Sequence, residues 1–266
     1  MFNPENLRVI SDSICASKKY HGVYRKTVAR IVKDCLMKYP DKEAEKRARN
    51  ILHQVWALYY GRNPGFEKIL SKIQQDVVGA KPAKEIVTPI LALQSSTKER
   101  IPLLDTFYQQ IFVITGVPET IIDHGCGLNP LTFYWMGLSP TAKYYGYDID
   151  ENQINFLQAS LGLLNNKQVV VGLGDALTDR FPQADVVFML KLLPPLEQQG
   201  KGLGLMAMES QQCRYLVVSY PTRSLSGWKR KMADFYEQQF YGLVKGKPWQ
   251  VEKLLFDSEL VFVIKK

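Results

Sequence analysis

The stretch Thr120-Ile121-Ile122-Asp123-His124-Gly125-Cys126-Gly127-Leu128-Asn129-Pro130 constrains the fold more than any other part of the chain. Ile121 and Ile122 suit a buried strand. Gly125 and Gly127 permit a sharp turn and let backbone approach a ligand without side-chain collision. Asn129 is placed as an N-cap, and Pro130 suits the first helical position. A strand ending in Asp123, then a Gly-x-Gly turn and a helix start, point to an α/β sheet. Such a sheet holds a nucleoside at the carboxyl ends of its strands. A Gly-x-Gly alone is also an ordinary structural turn, so its meaning depends on the acids that follow.

The spacing narrows the nucleoside. A dinucleotide fingerprint needs a third glycine where Pro130 stands, which disfavours NAD. No Walker A loop is present: Gly242 and Gly246-Lys247 sit one residue too close, and Pro248 replaces the Ser or Thr. The segment Lys143 to Ile149 reads as a second strand, with Asp148 standing 21 residues after Gly127. A carboxylate there can accept both ribose hydroxyls. Asp175-Ala176, after a strand at Val169–Val171, offers a small acid for the exocyclic amine of adenine. Without a pyrophosphate loop, this set favours S-adenosylmethionine. The expected cofactor residues in this part of the chain are Asp123, Gly125, Cys126, Gly127, Asp148, Ile149, Asp175, Ala176 and Leu190. Cys126 reads as packing rather than a nucleophile, and His124 as a packed strand-end residue.

From Thr120 the pattern alternates. Strands are expected near 120–124, 143–148, 168–171, 185–190 and 214–219, with helices at 130–137, 151–164, 196–210 and 228–241. Segments near 249–256 and 259–265 have no helix between them and predict a terminal antiparallel hairpin. The fold class is therefore α/β, a Rossmann-like sheet of mostly parallel strands. Before it the chain reads as helical. Val28, Ile31, Val32, Cys35 and Leu36 share a helical face, Pro40 ends that helix, and Gly61 ends the next. Ser96 and Glu99 are spaced as a capping box, and Pro102 predicts a kink or restart. The expected division is a helical domain at 1–94 and a cofactor-binding domain at 95–266.

Charge follows the same division. Residues 1–100 carry 19 Lys and Arg against 10 Asp and Glu, whereas the remaining 166 carry 15 against 16. An evenly solvated surface does not explain such one-sidedness, and a polyanionic partner does. Cys15, Cys35, Cys126 and Cys213 are scattered, and histidines are few, so neither a disulfide framework nor a metal site is expected. No apolar run approaches the roughly 20 residues that span a bilayer. The N-terminus lacks the apolar stretch of a signal peptide. A cytoplasmic, non-membrane protein is expected.

Several stretches together resemble the 16S ribosomal RNA guanine-N7 methyltransferases that confer aminoglycoside resistance. They are Ala16-Ser17-Lys18-Lys19-Tyr20, Ser96-Thr97-Lys98-Glu99-Arg100 with Leu104-Asp105-Thr106, and the turn from Gly125 to Leu131. Lys191-Leu192-Leu193-Pro194 and Pro221-Thr222-Arg223-Ser224-Leu225-Ser226-Gly227 complete the set. The chain departs from the family at Lys231-Met232 and Ala233-Asp234-Phe235. The resemblance implies a helical ribosome-binding domain ahead of a class I methyltransferase sheet, acting as a monomer on the 30S subunit. It implies that Arg100 holds the cofactor's methionine carboxylate, by a bidentate charge-assisted contact. It places Lys191, Glu197 and Arg223 toward the RNA or the active pocket, and Lys18, Lys19, Arg25 and Lys26 among the RNA-binding residues. Guanine N7 has an available lone pair, so no general base is required, and no Asp–His or paired-carboxylate set is visible. From the residues alone, a small-molecule or protein methyltransferase and a non-catalytic RNA-binding module stay open.

Overall fold

Apolar stripes at helical spacing build the first part of the chain. The computed structural model describes residues 3–57, 65–222 and 229–266. Helix α1 (Pro4–Ala16) starts where the Asn3 side chain accepts the Glu5 N–H at 2.9 Å and Pro4 fills the first turn. Helix α2 (Arg25–Leu36) and helix α3 (Asp41–Ala57) follow. Val28, Ile31, Val32 and Cys35 of α2 close a core with Ile10 and Ile14 of α1 and with Ala44, Ala48 and Leu52 of α3.

Helices α4 (Phe66–Val78) and α5 (Ala83–Leu91) belong to a different core. Ile73, Ile86, Val87, Ile90 and Leu91 are buried with the sheet residues Ile121 and Tyr144, and Phe66 stacks on Phe156 at 4.2 Å. The division expected between residues 94 and 95 therefore does not follow the packing. The change of core falls between α3 and α4, because the α4 and α5 stripes bury against the sheet. The Gly61 helix stop lies outside the described residues.

Helix α6 (Ser95–Arg100) leads through a 3-10 turn at Ile101–Leu103 into α7 (Leu104–Thr115), so Pro102 marks the change of direction expected of it. The Ser96–Glu99 capping box is not formed. Gln94 is the N-cap, the Thr97 hydroxyl donates to the Leu91 carbonyl at 2.6 Å, and Glu99 is drawn to Lys191.

The sheet contains β1 (Thr120–His124), β2 (Lys143–Asp148), β3 (Val169–Leu173), β4 (Ala184–Leu190), β5 (Cys213–Pro221), β6 (Gln250–Leu255) and β7 (Glu259–Lys265). Helices α8 (Glu151–Leu163), α9 (Leu193–Gln199), α10 (Leu203–Ser210) and α11 (Lys229–Leu243) connect them. The order is β3-β2-β1-β4-β5-β7-β6, parallel except for β7, which runs against both β5 and β6. The α/β class and the closing hairpin match the sequence reading. Two helices differ. The segment after the glycine turn is a 3-10 helix, Asn129–Trp135, because Asn129 faces inward instead of capping. The expected helix at 196–210 is two, α9 and α10, separated at Gly200 and Gly202, the latter with φ of 85°. Chain order runs outward in opposite directions from β1 to β2 and from β1 to β4. That reversal opens a crevice at the strands' carboxyl ends.

Candidate functional site

The crevice forms around the turn after β1. Gly125 and Gly127 have φ of 61° and 51°, a region that side-chain-bearing residues rarely adopt. A Cβ on Gly125 would meet Leu192 at 2.8 Å, and one on Gly127 would meet Gln94 Oε1 at 2.5 Å. The turn is held from below. The Cys126 N–H donates to the Tyr147 carbonyl at 3.0 Å, and the Gly127 N–H donates to Asp148 Oδ2 at 2.9 Å. The other Asp148 oxygen accepts the Ile149 and Asp150 N–H groups. Asp148 thus organises two strand ends as well as facing the pocket.

One pocket collects most of the expected residues. Gly125, Asp148, Ile149, Asp175, Ala176, Leu190 and Lys191 all line it. Its lining also includes residues the sequence did not single out for the cofactor, Thr27 and Arg30 of α2, Val55 of α3, Gln94 and Gln199, together with Ser96 of the Ser96–Arg100 stretch. The composition fits an adenosyl cofactor. Apolar Ile149, Ala176, Leu190 and Leu196 provide walls for a purine, and acids stand at the ends of two adjacent strands.

Five expected cofactor or pocket residues are not on its wall: Gly127, whose N–H is held by Asp148, and Asp123, Cys126, Glu197 and Arg100. Asp123 is 1% exposed beneath the turn, where its Oδ2 accepts Asn129 Nδ2 at 2.9 Å and the Tyr144 hydroxyl. Burial pushes its carboxyl up to about 6, partly offset by those hydrogen bonds and by Arg100. Cys126 is buried and its thiol is pushed up by desolvation, so it packs and does not ionise. Glu197 turns away from the pocket to accept the Gly202 and Gly204 N–H groups at 2.9 and 2.7 Å, which ties the start of α10. Arg100 is not on the pocket wall. Its Nε and Nη2 donate to the two oxygens of Glu259 at 3.0 and 2.7 Å, and Nη1 donates to Asn129 at 2.7 Å.

Glu259 is the residue sequence reasoning missed. It is fully buried, yet its carboxyl is held below the ordinary value: burial raises it, and Arg100 and Lys191 outweigh that. Arg30 lines the pocket from α2, and the cation of this network that does so is Lys191. It sits at the end of β4 with φ of 57°, a strained conformation for a side-chain-bearing residue. Its Nζ donates to Glu99 at 2.6 Å and lies 3.9 Å from Glu259. Arg223 lies outside the described residues. His124 is buried, donates through Nε2 to Gln211 Oε1 at 2.7 Å and packs on Phe181. Desolvation lowers its value to about 4.

The four basic residues of the N-terminal part do not form one set. Lys18 and Lys19 are exposed on the turn after α1, with Lys19 over the Tyr20 ring. Arg25 pairs with Asp12, and Lys26 donates to Asp179 at 2.6 Å. Among the described residues, no cluster of three or more His, Cys, Asp or Glu side chains could hold a metal. No described helix is long and apolar enough to cross a membrane.

Comparison with known proteins bears on the same span. A family model described as "Ribosomal RNA methyltransferase (FmrO)" matches residues 16–263. A 16S rRNA (guanine(1405)-N(7))-methyltransferase of Proteus mirabilis is 31% identical, over 99% of each chain. Among solved structures, the 16S rRNA methyltransferase RmtF in complex with S-adenosyl-L-homocysteine superposes with a TM-score of 0.80 at 25% identity, covering 100% of both chains. The 16S rRNA methylase RmtB gives 0.78 at 28% identity, over 99% of this chain and 100% of that one.

Proposed function

The chain belongs to the ribosomal RNA methyltransferase (FmrO) family, and from that premise we propose that it methylates guanine N7 in 16S rRNA of the 30S subunit, using S-adenosylmethionine. The observation that carries the reading is the pocket at the β1/β4 reversal, with Gly125, Asp148, Asp175 and Lys191 on its wall. A protein with this activity works in the cytoplasm, where the subunit is. Loss of N7 as an acceptor and the positive charge of the product give aminoglycoside resistance by repelling a cationic drug.

S-adenosylmethionine supplies the electrophilic methyl group, and the chain's own residues orient it. Asp148 is the acceptor for the ribose hydroxyls, a role its place on the pocket wall allows although both oxygens also hold backbone N–H groups. Asp175 accepts the adenine amine while Ile149, Ala176 and Leu190 exclude water around the ring. Gly125 lets the methionine chain pass over the turn. Lys191, with Arg100 behind it, makes a cationic end for the methionine carboxylate. Arg100 keeps one hydrogen on each terminal nitrogen beyond its bonds to Glu259 and Asn129.

No proton has to be removed before N7 attacks the methyl carbon. Rate acceleration then comes from holding donor and acceptor in line, an effect that supplies about 7–11 kcal/mol. A guanine inside a stack must leave it, at a cost of a few kcal/mol. Exposed Lys18 and Lys19 offset that cost by gripping phosphates and fixing register. The test is transfer of labelled methyl from S-adenosylmethionine to purified 30S subunits. Label in RNA supports the reading; label confined to protein or small molecules refutes it.

A further inference from the structure

The wall of the pocket that closes over Asp175 comes from the N-terminal helices. Thr27 is 1% exposed and its hydroxyl donates to Asp175 Oδ2 at 2.7 Å. Arg30 adds two donors to the same oxygen, Nε at 3.3 Å and Nη2 at 3.2 Å, and its Nη2 also reaches Gln199 at 2.7 Å. The other oxygen, Oδ1, accepts the Leu177 N–H at 2.9 Å and has a lone pair left. Asp175 is 4% exposed, so its oxygens depend on these partners for hydrogen bonds and for a fixed orientation.

The attachment is broader than one carboxylate. The Tyr24 N–H donates to the Ile149 carbonyl at 2.8 Å, the Glu151 N–H to the Gly22 carbonyl at 2.9 Å, and Lys26 to Asp179. Segment 22–30 therefore touches the loops after β2 and β3, the two loops that carry the acids of the pocket.

We propose that Thr27 and Arg30 are positioning residues for the cofactor: by occupying Asp175 Oδ2 from α2, they turn Oδ1 toward the adenine amine. This rests on the cofactor reading above and adds to it a contribution from the N-terminal helices. Those helices carry the excess positive charge, so the surface that meets RNA and the wall that selects adenine are one rigid piece. Arg30 also lines the pocket directly, with Nη1 buried and lacking a hydrogen-bond partner.

The experiment compares two ligands by calorimetry, S-adenosylhomocysteine and S-inosylhomocysteine, which lacks the amine. Wild type favours the adenosyl compound by roughly ten- to a hundredfold, the worth of one hydrogen bond to a charged acceptor. In Thr27→Val and Arg30→Ala this preference shrinks to within about threefold, while Thr27→Ser restores it. A merely structural role would weaken both ligands alike and leave the ratio intact. If Arg30→Ala does not fold, the near-isosteric Thr27→Val and the charge-retaining Arg30→Lys carry the comparison. A folded Thr27→Val that keeps the wild-type ratio overturns the proposal, as does a wild type that binds both ligands equally. Failure of the wild type to bind S-adenosylhomocysteine at all would instead overturn the cofactor reading beneath it.

Discussion

Replacing Glu259 by Gln tests the buried charge network beside the pocket. The Glu259 side chain is 0% exposed and that of Arg100 is 2% exposed, and they meet through two parallel hydrogen bonds at 2.7 and 3.0 Å. The Ser219 hydroxyl donates to the same carboxylate. Gln keeps the shape and one carbonyl acceptor but removes the charge. Arg100 cannot shed its proton to relieve the loss, because a guanidinium stays protonated inside a protein. The variant therefore leaves an uncompensated guanidinium in a site that water does not reach. Breaking one side of a buried pair costs about 3–5 kcal/mol. Lys191 does not add to this, since Glu99 stays as its nearer partner at 2.6 Å. The exposed pair Arg47–Glu43 is the control, worth about 0.5 kcal/mol or less. Urea denaturation of wild type, Glu259→Gln and Glu43→Gln measures all three. A loss below about 1 kcal/mol for Glu259→Gln, or equal losses for both variants, would refute the reasoning.

Asp148→Asn should raise the dissociation constant for S-adenosylhomocysteine by tenfold or more, from the loss of a charged acceptor worth about 1.5–3 kcal/mol; calorimetry on the folded variant checks it, and unchanged affinity removes Asp148 from the cofactor site. His124 binds its proton less readily in the folded state, at about 4 against an ordinary 6.5, so the unfolded chain takes up protons first as pH falls. Its share of stability is complete above 6.5 and is lost toward 4, up to about 3 kcal/mol. His124→Gln should flatten that part of the pH–stability profile relative to wild type, whereas Asp123, raised to about 6, acts in the opposite direction in both proteins. Lys18→Glu with Lys19→Glu should leave cofactor affinity unchanged and sharply reduce methylation of 30S subunits. Its activity should also fall less steeply with salt than that of wild type, because fewer counterions are released on binding; full activity across the salt series would reduce the two lysines to solubility.

What could be read in advance was local. The glycine turn, the acids at 148 and 175 and the order of strands rest on neighbours within a strand–turn–helix unit, and such spacing survives in one sequence. The buried network does not. Arg100 meets Glu259 across 159 positions, and Thr27 meets Asp175 across 148, so no window of sequence contains both partners. Nothing in a closing hairpin signals that its first residue, Glu259, will be a buried counterion. The same distance effect explains two misreadings. Ser96 and Glu99 have capping-box spacing, but Lys191 offers Glu99 a charged partner and outcompetes a neutral backbone N–H. Asn129 has N-cap chemistry, yet Asp123, Tyr144, Tyr108 and Arg100 converge on its amide and draw it into the core. Glu197 looked like a pocket acid, and the two backbone N–H groups after Gly200 claimed it instead.

The most direct measurement of the central claim is the position and atom of the methyl group on 16S rRNA. Purified 30S subunits are incubated with the protein and S-adenosylmethionine, and the RNA is reduced with borohydride and cleaved with aniline, which cuts at N7-methylguanine. The account predicts one new cut, at a guanine of the decoding region, that disappears in Asp148→Asn at limiting cofactor. Methyl incorporation without a cut would place the group on another atom, and no incorporation into RNA would contradict the account outright.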